Sequence, residues 1–523
     1  MTIAVDEQRR LFVDWLERRS SDPVELRETH VSLLAFQGDR VFKMKKAVCF
    51  PFIDLSTTRL RHQNCAREVE LNRRFAPDVY LGVVEVADPS RGVVEHAVEM
   101  HRLDPARSLH ALALIGRGKQ CVERVADDLA RFHAHARRSP EIDEVASTAG
   151  VARLWTDGID ELERFAGTVL DPDALDEVAR LADRFVLGRS ELFAARIASG
   201  RICDGHGDLL TDDVFCTDDG PWLLDCLEFD DRLRWGDVLA DVAFLAMDLE
   251  RVDRADLARA LLDRYREQAH DDWPPSLEHF YVAYRAFVRT KVACLRFTQH
   301  DAGAADEARS LLALARAHLE RGRVRLVLIG GAPGTGKTTL ARAVADATGW
   351  RLLRSDVVRK QLAGLSSTQH TKQAVDEGLY TNAWTERTYE KVLRLAAREL
   401  ARGASVIIDA SFAQPRWRAA AAQVGAEHVT DLDAWRCEAP VEIASARVAR
   451  RRHDASDADA AVASVVAGRF EPWPEAHTVE TSGEPAAAIR RVLGGLGVAT
   501  GSGPSSEPVT PNGGDKVARR GRR

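Results

Sequence analysis

Gly331-Ala332-Pro333-Gly334-Thr335-Gly336-Lys337-Thr338 fits the phosphate-binding pattern G-x-x-x-x-G-K-[ST], and its reading decides the fold of the C-terminal part of the chain. The apolar run Leu326–Ile329 precedes it and a helical pattern, Leu340–Thr348, follows it. Small residues let backbone N–H groups curl around a nucleotide's phosphates, and the next helix starts with its positive dipole end aimed at them. In that geometry Lys337 reaches the β- and γ-phosphates and the Thr338 hydroxyl holds Mg²⁺, while Gly331 to Gly336 and Thr339 complete the cradle. A purely structural Gly-rich turn is the competing reading. The stretch predicts a bound nucleoside triphosphate.

Outward from this loop, strand and helix patterns alternate from Arg323 onward. Val406-Ile407-Ile408-Asp409 reads as a second buried strand, Thr430–Cys437 as a third, and Val441–Arg452 as a helix. Alternating β and α with a P-loop predicts a three-layer α/β/α domain around a parallel sheet. Arg354-Ser355-Asp356-Val357-Val358-Arg359 falls where the second strand of that sheet ends. Asp356 there faces the ligand crevice and reads as a general base for an acceptor hydroxyl, or as a plain helix N-cap. Arg359, one turn on, suits an anionic acceptor or phosphate. Asp409, at its strand's end, fits the carboxylate that orients Mg²⁺ and its water. Arg447 and Arg451 lie four apart on one helix face and read as a lid over the transferring phosphoryl group, or as a solvated basic face.

These features resemble the small-molecule and polynucleotide-type kinases of the P-loop superfamily over about residues 323–482. Gluconate kinases, zeta-type toxins, chloramphenicol phosphotransferases and polynucleotide 5′-hydroxyl kinases share the pattern. It implies a chemistry more than a substrate.

The preceding residues read differently. Strand-like segments (Thr29–Phe36, Arg40–Ala47, Leu81–Val86, Val93–Met100) come first, with Gln37-Gly38-Asp39 as a hairpin turn. Helical patterns follow at Cys121–Ala136, Val151–Leu170, Pro172–Gly188, Leu277–Phe297 and Ala304–Arg321, interrupted by a 201–250 section that reads as brief strands and turns. That section holds His206-Gly207-Asp208-Leu209, then Asp213, then Leu223-Leu224-Asp225. An Asp in a tight loop after a strand can accept a hydroxyl proton, and two further acids at this spacing can hold Mg²⁺ against phosphates.

The constellation resembles the catalytic loop H-G-D-x-x-x-x-N of the aminoglycoside phosphotransferase and choline kinase-like group, relatives of protein kinases, over most of residues 25–320. The resemblance implies a bilobal protein-kinase-like domain, with Asp208 as base, Asp225 as metal ligand and His206 bracing the loop. The family's Asn falls at Asp213, which adds a negative charge to the metal site. Lys43, in Val41-Phe42-Lys43-Met44-Lys45-Lys46, matches the family's nucleotide-phosphate lysine, and Glu68 its ion-pair partner. Lys45 with Glu70 is an adjacent alternative, and an exposed basic strand the bland one. The one-glycine turn before this strand is a poor match to a Gly-rich flap. Leu129–His133 and Gly236-Asp237-x-x-x-Asp241 fit the same family, the latter as backbone anchors.

Composition sets the bounds. The chain has 523 residues, 45 % hydrophobic and 29 % charged, with a formal net charge of −7 that gives no general attraction to nucleic acid or anionic membrane. No apolar run approaches a bilayer span, and the acidic N-terminus lacks a signal-peptide core, so a cytoplasmic protein is expected. Eight scattered cysteines without metal-ligand spacing read as free thiols in a reducing compartment. Only ten of the 73 basic residues are lysine, yet Lys43, Lys45, Lys46 and Lys337 are among them, where a compact ammonium suits phosphate.

The whole order resembles a bacterial two-domain family that fuses an aminoglycoside-phosphotransferase-like domain (residues 1–320) to a P-loop kinase-like ATPase domain (321–498). A tail at 499–523, rich in Gly, Ser and Pro with a basic end, cannot bury enough to order itself. The expectation is a bifunctional phosphotransferase in which both halves bind ATP with Mg²⁺ and act on small-molecule hydroxyl acceptors. Glu228, Asp230 and Asp231 are read as an acidic lining suited to a cationic acceptor such as an amino sugar, or as a solvated turn. Two alternatives stand beside it: an N-terminal pseudokinase that senses a ligand and regulates the P-loop half, and a nucleic-acid 5′-hydroxyl kinase aided by the basic tail.

Overall fold

The computed structural model describes residues 5–29, 31–50, 53–366, 379, 381–450 and 468–498. Two compact units emerge. The first comprises Met1–Arg325 with Ala397–Ala404 and Val424–Asp431, and the second Leu326–Ala396, Ser405–Gln423 and Leu432–Arg523.

The first unit opens with the helix Val5–Arg19 and a five-stranded antiparallel sheet. Across the sheet the strands run Glu25–Glu28, Ser32–Gln37, Arg40–Lys45, Gly92–His101 and Tyr80–Asp88. Gly38 makes the tight turn at φ 57°, a left-handed value that favours glycine. Period-2 alternation then divides Arg40–Lys45 between two faces. Phe42 and Met44 pack with Phe12 and Leu16 of the first helix, whereas Val41 packs with Cys65 and Val69 of the helix Thr58–Asn72. Lys43 and Lys45 share the face of Val41 and are therefore carried into the interior beneath that helix.

Beyond the sheet, this unit includes the longer helices Lys119–His135, Thr148–Glu163, Pro172–Leu187, Val238–Arg251, Ala255–Ala269, Pro275–Thr298 and Ala304–Arg321. They enclose one large apolar core in which Trp155, Phe185 and Phe280 stack near Phe287. The expected helix Val151–Leu170 stops at Glu163, because Gly167 turns left-handed at φ 76° and Leu170 bridges back to Ala166. The section expected as brief strands and turns ends instead in the helix Val238–Arg251. Twelve of its fourteen residues are buried, Asp241 and Asp248 among them, so burial runs all round it and not along one face.

A second departure concerns the thiols. Cys121 and Cys216 form a disulfide across 95 residues, against the expectation that all eight cysteines are free. Packing of the helix Lys119–His135 beside the strand Val214–Cys216 brings the two sulfurs together, a proximity that sequence spacing does not reveal.

The second unit carries a five-stranded sheet in the order Arg351–Arg354, Val406–Asp409, Arg325–Gly330, Asp431–Glu438, His477–Glu480. Val406–Asp409 is parallel to both its neighbours, and Asp431–Glu438 is parallel to His477–Glu480. Leu326 to Ile329 and Val406 to Ile408 are wholly buried, the continuous apolar runs of a sheet covered on both faces. Strand order reverses at Arg325–Gly330, so a crevice opens beyond its C-terminal end. Gly331 begins there. Arg451 and the 499–523 tail lie outside the described residues. Among the described residues no helix is long and apolar enough to cross a membrane.

Candidate functional sites

In the second unit Gly331, Gly334 and Gly336 take φ values of 144°, 86° and 85°, so the loop from Gly331 to Gly336 depends on left-handed backbone. A Cβ on Gly334 would lie 2.3 Å from the Ala444 carbonyl oxygen. Thr335 closes the turn by donating to the Ala332 carbonyl, and the helix Lys337–Thr348 starts directly after Gly336. Pro333 is buried, Ala332 is partly so, and Thr339 faces outward on the first turn.

The Thr338 hydroxyl donates to Asp409 Oδ2 at 2.8 Å, and Arg354 Nε lies 3.3 Å from the same oxygen. Asp409 Oδ1 is buried with no hydrogen-bond partner among the described residues. Burial raises the Asp409 carboxyl above the usual range, against the pull of Lys337 and Thr338. An orphaned carboxylate oxygen beside a hydroxyl and a P-loop fits one edge of an octahedral Mg²⁺ site. Among the described residues no group of three or more His, Cys, Asp or Glu side chains is gathered to hold a metal ion by itself. A Mg²⁺ here would complete its shell from phosphate oxygens and water.

Arg447 reaches the loop from the helix Val441–Arg450: Nη2 donates to the Thr481 carbonyl at 2.6 Å, and the buried Nη1 has no hydrogen-bond partner among the described residues. The Thr481 hydroxyl lies 2.5 Å from the Thr335 carbonyl and 2.9 Å from that of Glu438. A cavity of about 400 Å³ opens from Gly334, Gly336 and Thr338 past Arg447 and Thr481 to Ile489.

Asp356 is half-buried in the first turn of the helix Ser355–Leu362, and its charge raises both Asp409 and Tyr389. It is not the N-cap, which is Arg354. Arg359 is buried, and its Nη1 donates to the Leu379 carbonyl at 2.6 Å and the Thr385 hydroxyl at 3.4 Å. Sequence spacing places it one turn from Asp356 but says nothing of which helix packs against it.

In the first unit Lys43 Nζ lies 2.9 Å from Glu68 Oε1 and 2.5 Å from Asp225 Oδ1. Lys45 Nζ lies 2.6 Å from Glu68 Oε2 and 2.6 Å from Glu228 Oε1. One buried glutamate thus serves both lysines. The alternative pair of Lys45 with Glu70 is not formed, because Glu70 points outward to Arg67. Both ammonium groups are held above the ordinary lysine range by these carboxylates, despite burial, and the lysines hold Glu68 below its own.

Asp225 adopts a left-handed φ of 62°, and its N–H donates to the Tyr80 hydroxyl. The loop before it is anchored by Asp241, which accepts from the N–H groups of His206 and Gly207 at 2.9 and 2.8 Å and contacts His133 Nε2 at 3.0 Å. The imidazole of His206 lies 3.0 Å from the Leu224 carbonyl, and burial lowers its pKa to about 4. His206 is therefore a neutral brace. Asp208, half-buried, is raised by burial and lies 3.7 Å from Arg289. Asp213 is raised well above the usual carboxylate range, first by burial and then by Asp225 and Asp208. Crowded carboxylates of this kind fit a divalent cation between Asp213 and Asp225.

The acidic lining read at Glu228, Asp230 and Asp231 is already neutralised. Glu228 is bound to Lys45, Asp230 to Arg232, and Asp231 to Arg67 and Arg234. Contacts the sequence reading did not name include Asn72 to the Cys226 N–H, Arg74 to the Gly205 carbonyl, and Arg289 to Asp208. No local motif marks them, since each partner is distant in sequence.

Comparison with known proteins places these sites in context. The AAA_33 family model, described as an AAA domain, matches residues 326–473. Proteins described as uncharacterised, Rv2004c of Mycobacterium tuberculosis strain H37Rv and Mb2027c of Mycobacterium bovis, are each 41 % identical over 461 residues, covering 88 % of this chain and 93 % of theirs. Among solved structures, a choline/ethanolamine kinase family protein from Mesorhizobium loti covers 57 % of this chain and 92 % of its own, at 15 % identity and a TM-score of 0.36. The GDP complex of aminoglycoside 2′-phosphotransferase-IIIa covers 58 % and 97 %, at 16 % identity and 0.37. A sugar kinase from Janibacter sp. HTCC2649 covers 34 % and 96 %, at 19 % identity and 0.27. The chain belongs to the same family as these mycobacterial proteins, with an AAA domain over residues 326–473.

Proposed function

We propose that both halves are ATP-dependent phosphotransferases acting on hydroxyl groups of small polar molecules. The observation that carries the reading is that each unit sets a basic side chain beside a magnesium-type carboxylate: Lys43 with Asp225, and Lys337 with Thr338 and Asp409. Mg²⁺, when bound, neutralises charge on the β- and γ-phosphates.

In the first unit Lys43, oriented by Glu68, holds phosphate oxygens, while Asp213 and Asp225 carry the metal. Asp208 takes the proton of the acceptor hydroxyl, whose oxygen bonds to the γ-phosphorus as ADP leaves. Its burial-raised pKa is the direction a proton acceptor near neutrality needs. In the second unit the P-loop N–H groups and Lys337 bind phosphates, Asp356 serves as base, and Arg447 Nη1 supplies charge at the γ-position. Arg451 of the expected lid lies outside the described residues.

The test is ADP release across a sugar and metabolite panel with wild type, Asp208→Ala and Lys337→Ala side by side. Each variant should lose a different subset of activities, and calorimetry should find two equivalents of MgATP. One equivalent, with no turnover sensitive to Asp208→Ala, would leave a single engine with an attached sensor. That second reading draws on Lys43 being held by Asp225, on Asp213 in place of an amide, and on the one-glycine turn at Gly38.

A further inference from the structure

We infer that the acceptor of the first unit carries an anionic group and that Arg285 and Arg289 receive it. The inference rests on the phosphotransferase reading of that unit and names its substrate class. Four residues apart on the helix Pro275–Thr298, the two arginines share one face, and the charges of both act on Asp208.

Arg289 lies 3.7 Å from Asp208 Oδ1, with 19 % of its side chain and 37 % of that of Asp208 exposed, and it makes no hydrogen bond among the described residues. Arg285 is pinned from behind. Its Nε donates to the Ala240 carbonyl at 2.8 Å and its guanidinium lies 4.7 Å from the Phe244 ring centroid, which leaves both Nη groups without a partner among the described residues. A planar fork with open donors, held by a backbone contact and an aromatic face, is the arrangement that recognises carboxylate or phosphate.

The surrounding charges have other commitments. Glu228, Asp230 and Asp231 are bound to basic side chains, and Lys291 is bound to Glu161 at 2.8 Å. Asp157 and Glu161 act on Tyr284, and Asp225 and Asp248 act on Asp208, beside the two guanidinium groups. An amino sugar brought to Asp208 would meet those two cations. A hydroxy acid or a phosphorylated polyol would meet hydrogen-bond donors, with its hydroxyl free to reach the Asp208 carboxylate.

The experiment uses the full chain carrying Lys337→Ala, so that the P-loop half is silent. Glycerol 3-phosphate and gluconate are the anionic probes, xylitol the neutral one and kanamycin the cationic one. Anionic probes should raise the melting temperature of this protein, and the shift should vanish in Arg285→Gln/Arg289→Gln while far-ultraviolet dichroism stays native. With an acceptor that turns over, Arg289→Gln should raise KM roughly 10- to 100-fold at little cost in kcat, and Arg289→Lys should restore part of the loss. Stabilisation by kanamycin or xylitol alone, or by no probe, overturns the assignment. So does a kcat loss shared by all acceptors at unchanged KM, which would place Arg289 on the transferred phosphoryl group. Absence of any turnover sensitive to Asp208→Ala, with anion stabilisation intact, defeats the enzymatic reading and leaves the anion site standing.

Discussion

Glu68→Gln tests the arrangement on which the first unit's site depends. Glu68 and Lys45 are fully buried, and Glu68 contacts two ammonium groups, at 2.9 Å to Lys43 and 2.6 Å to Lys45. Removing one partner of a buried ion pair costs about 3–5 kcal/mol, because the other charge stays out of water. Here each lysine keeps a second carboxylate, Asp225 or Glu228, so the lower end applies: about 3 kcal/mol. For a domain of this size that is a melting-point loss of about 6 °C. Glu70→Gln is the control, because Glu70 is 68 % exposed in its pair with Arg67 and should cost under about 0.5 kcal/mol. Calorimetric scans of the full chain would resolve the two variants, with the P-loop unit's transition as an internal standard. If Glu68→Gln melts no lower than Glu70→Gln, the buried two-lysine network is not what holds this lobe. A preserved melting point with lost MgATP binding would refute the stability argument and retain only the functional one.

Gly334→Ala should abolish MgATP binding to the P-loop unit, since the added carbon would meet the Ala444 carbonyl at 2.3 Å on a backbone at φ 86°. Calorimetry should then show one equivalent less than wild type, and an unchanged stoichiometry would count against the loop geometry. Alkylation of the unfolded, unreduced chain should label six thiols and reduction should expose eight, read by intact mass. Eight labels without reduction would dismiss the Cys121–Cys216 bond. His279, packed against His318, is lowered by burial to about 4, so the unfolded chain takes up its proton first as pH falls. Its contribution is neutral above about pH 6.5 and increasingly destabilising down to about 4, amounting to about 3 kcal/mol. His279→Gln should flatten the urea-midpoint profile over that window, and an unaltered slope would exclude this histidine.

Some of this was legible in residue order because the chemistry is local. A P-loop needs glycine at left-handed backbone positions directly before a helix, and Gly331, Gly334 and Gly336 supply that within six residues. The burial of Lys43 and Lys45 on one face follows from the two-residue period of a strand. The helix Val238–Arg251 was hidden because a helix surrounded by core loses the alternation that betrays it. The fate of Arg359 was hidden for a different reason: its partners Leu379 and Thr385 lie 20 and 26 residues on.

Residue order alone therefore determined the phosphate loop, the parallel sheet around it and the spacing of Asp208, Asp213 and Asp225, all set by backbone sterics and short-range periodicity. Only the tertiary structure decided which charges remain available. Tertiary packing gave both lysines the same glutamate, bound Glu228 to Lys45 and Asp231 to Arg67, and left Arg289 beside Asp208. The physical reason is that a charge's availability depends on neighbours within a few ångströms, and packing brings those neighbours from dozens to hundreds of residues away.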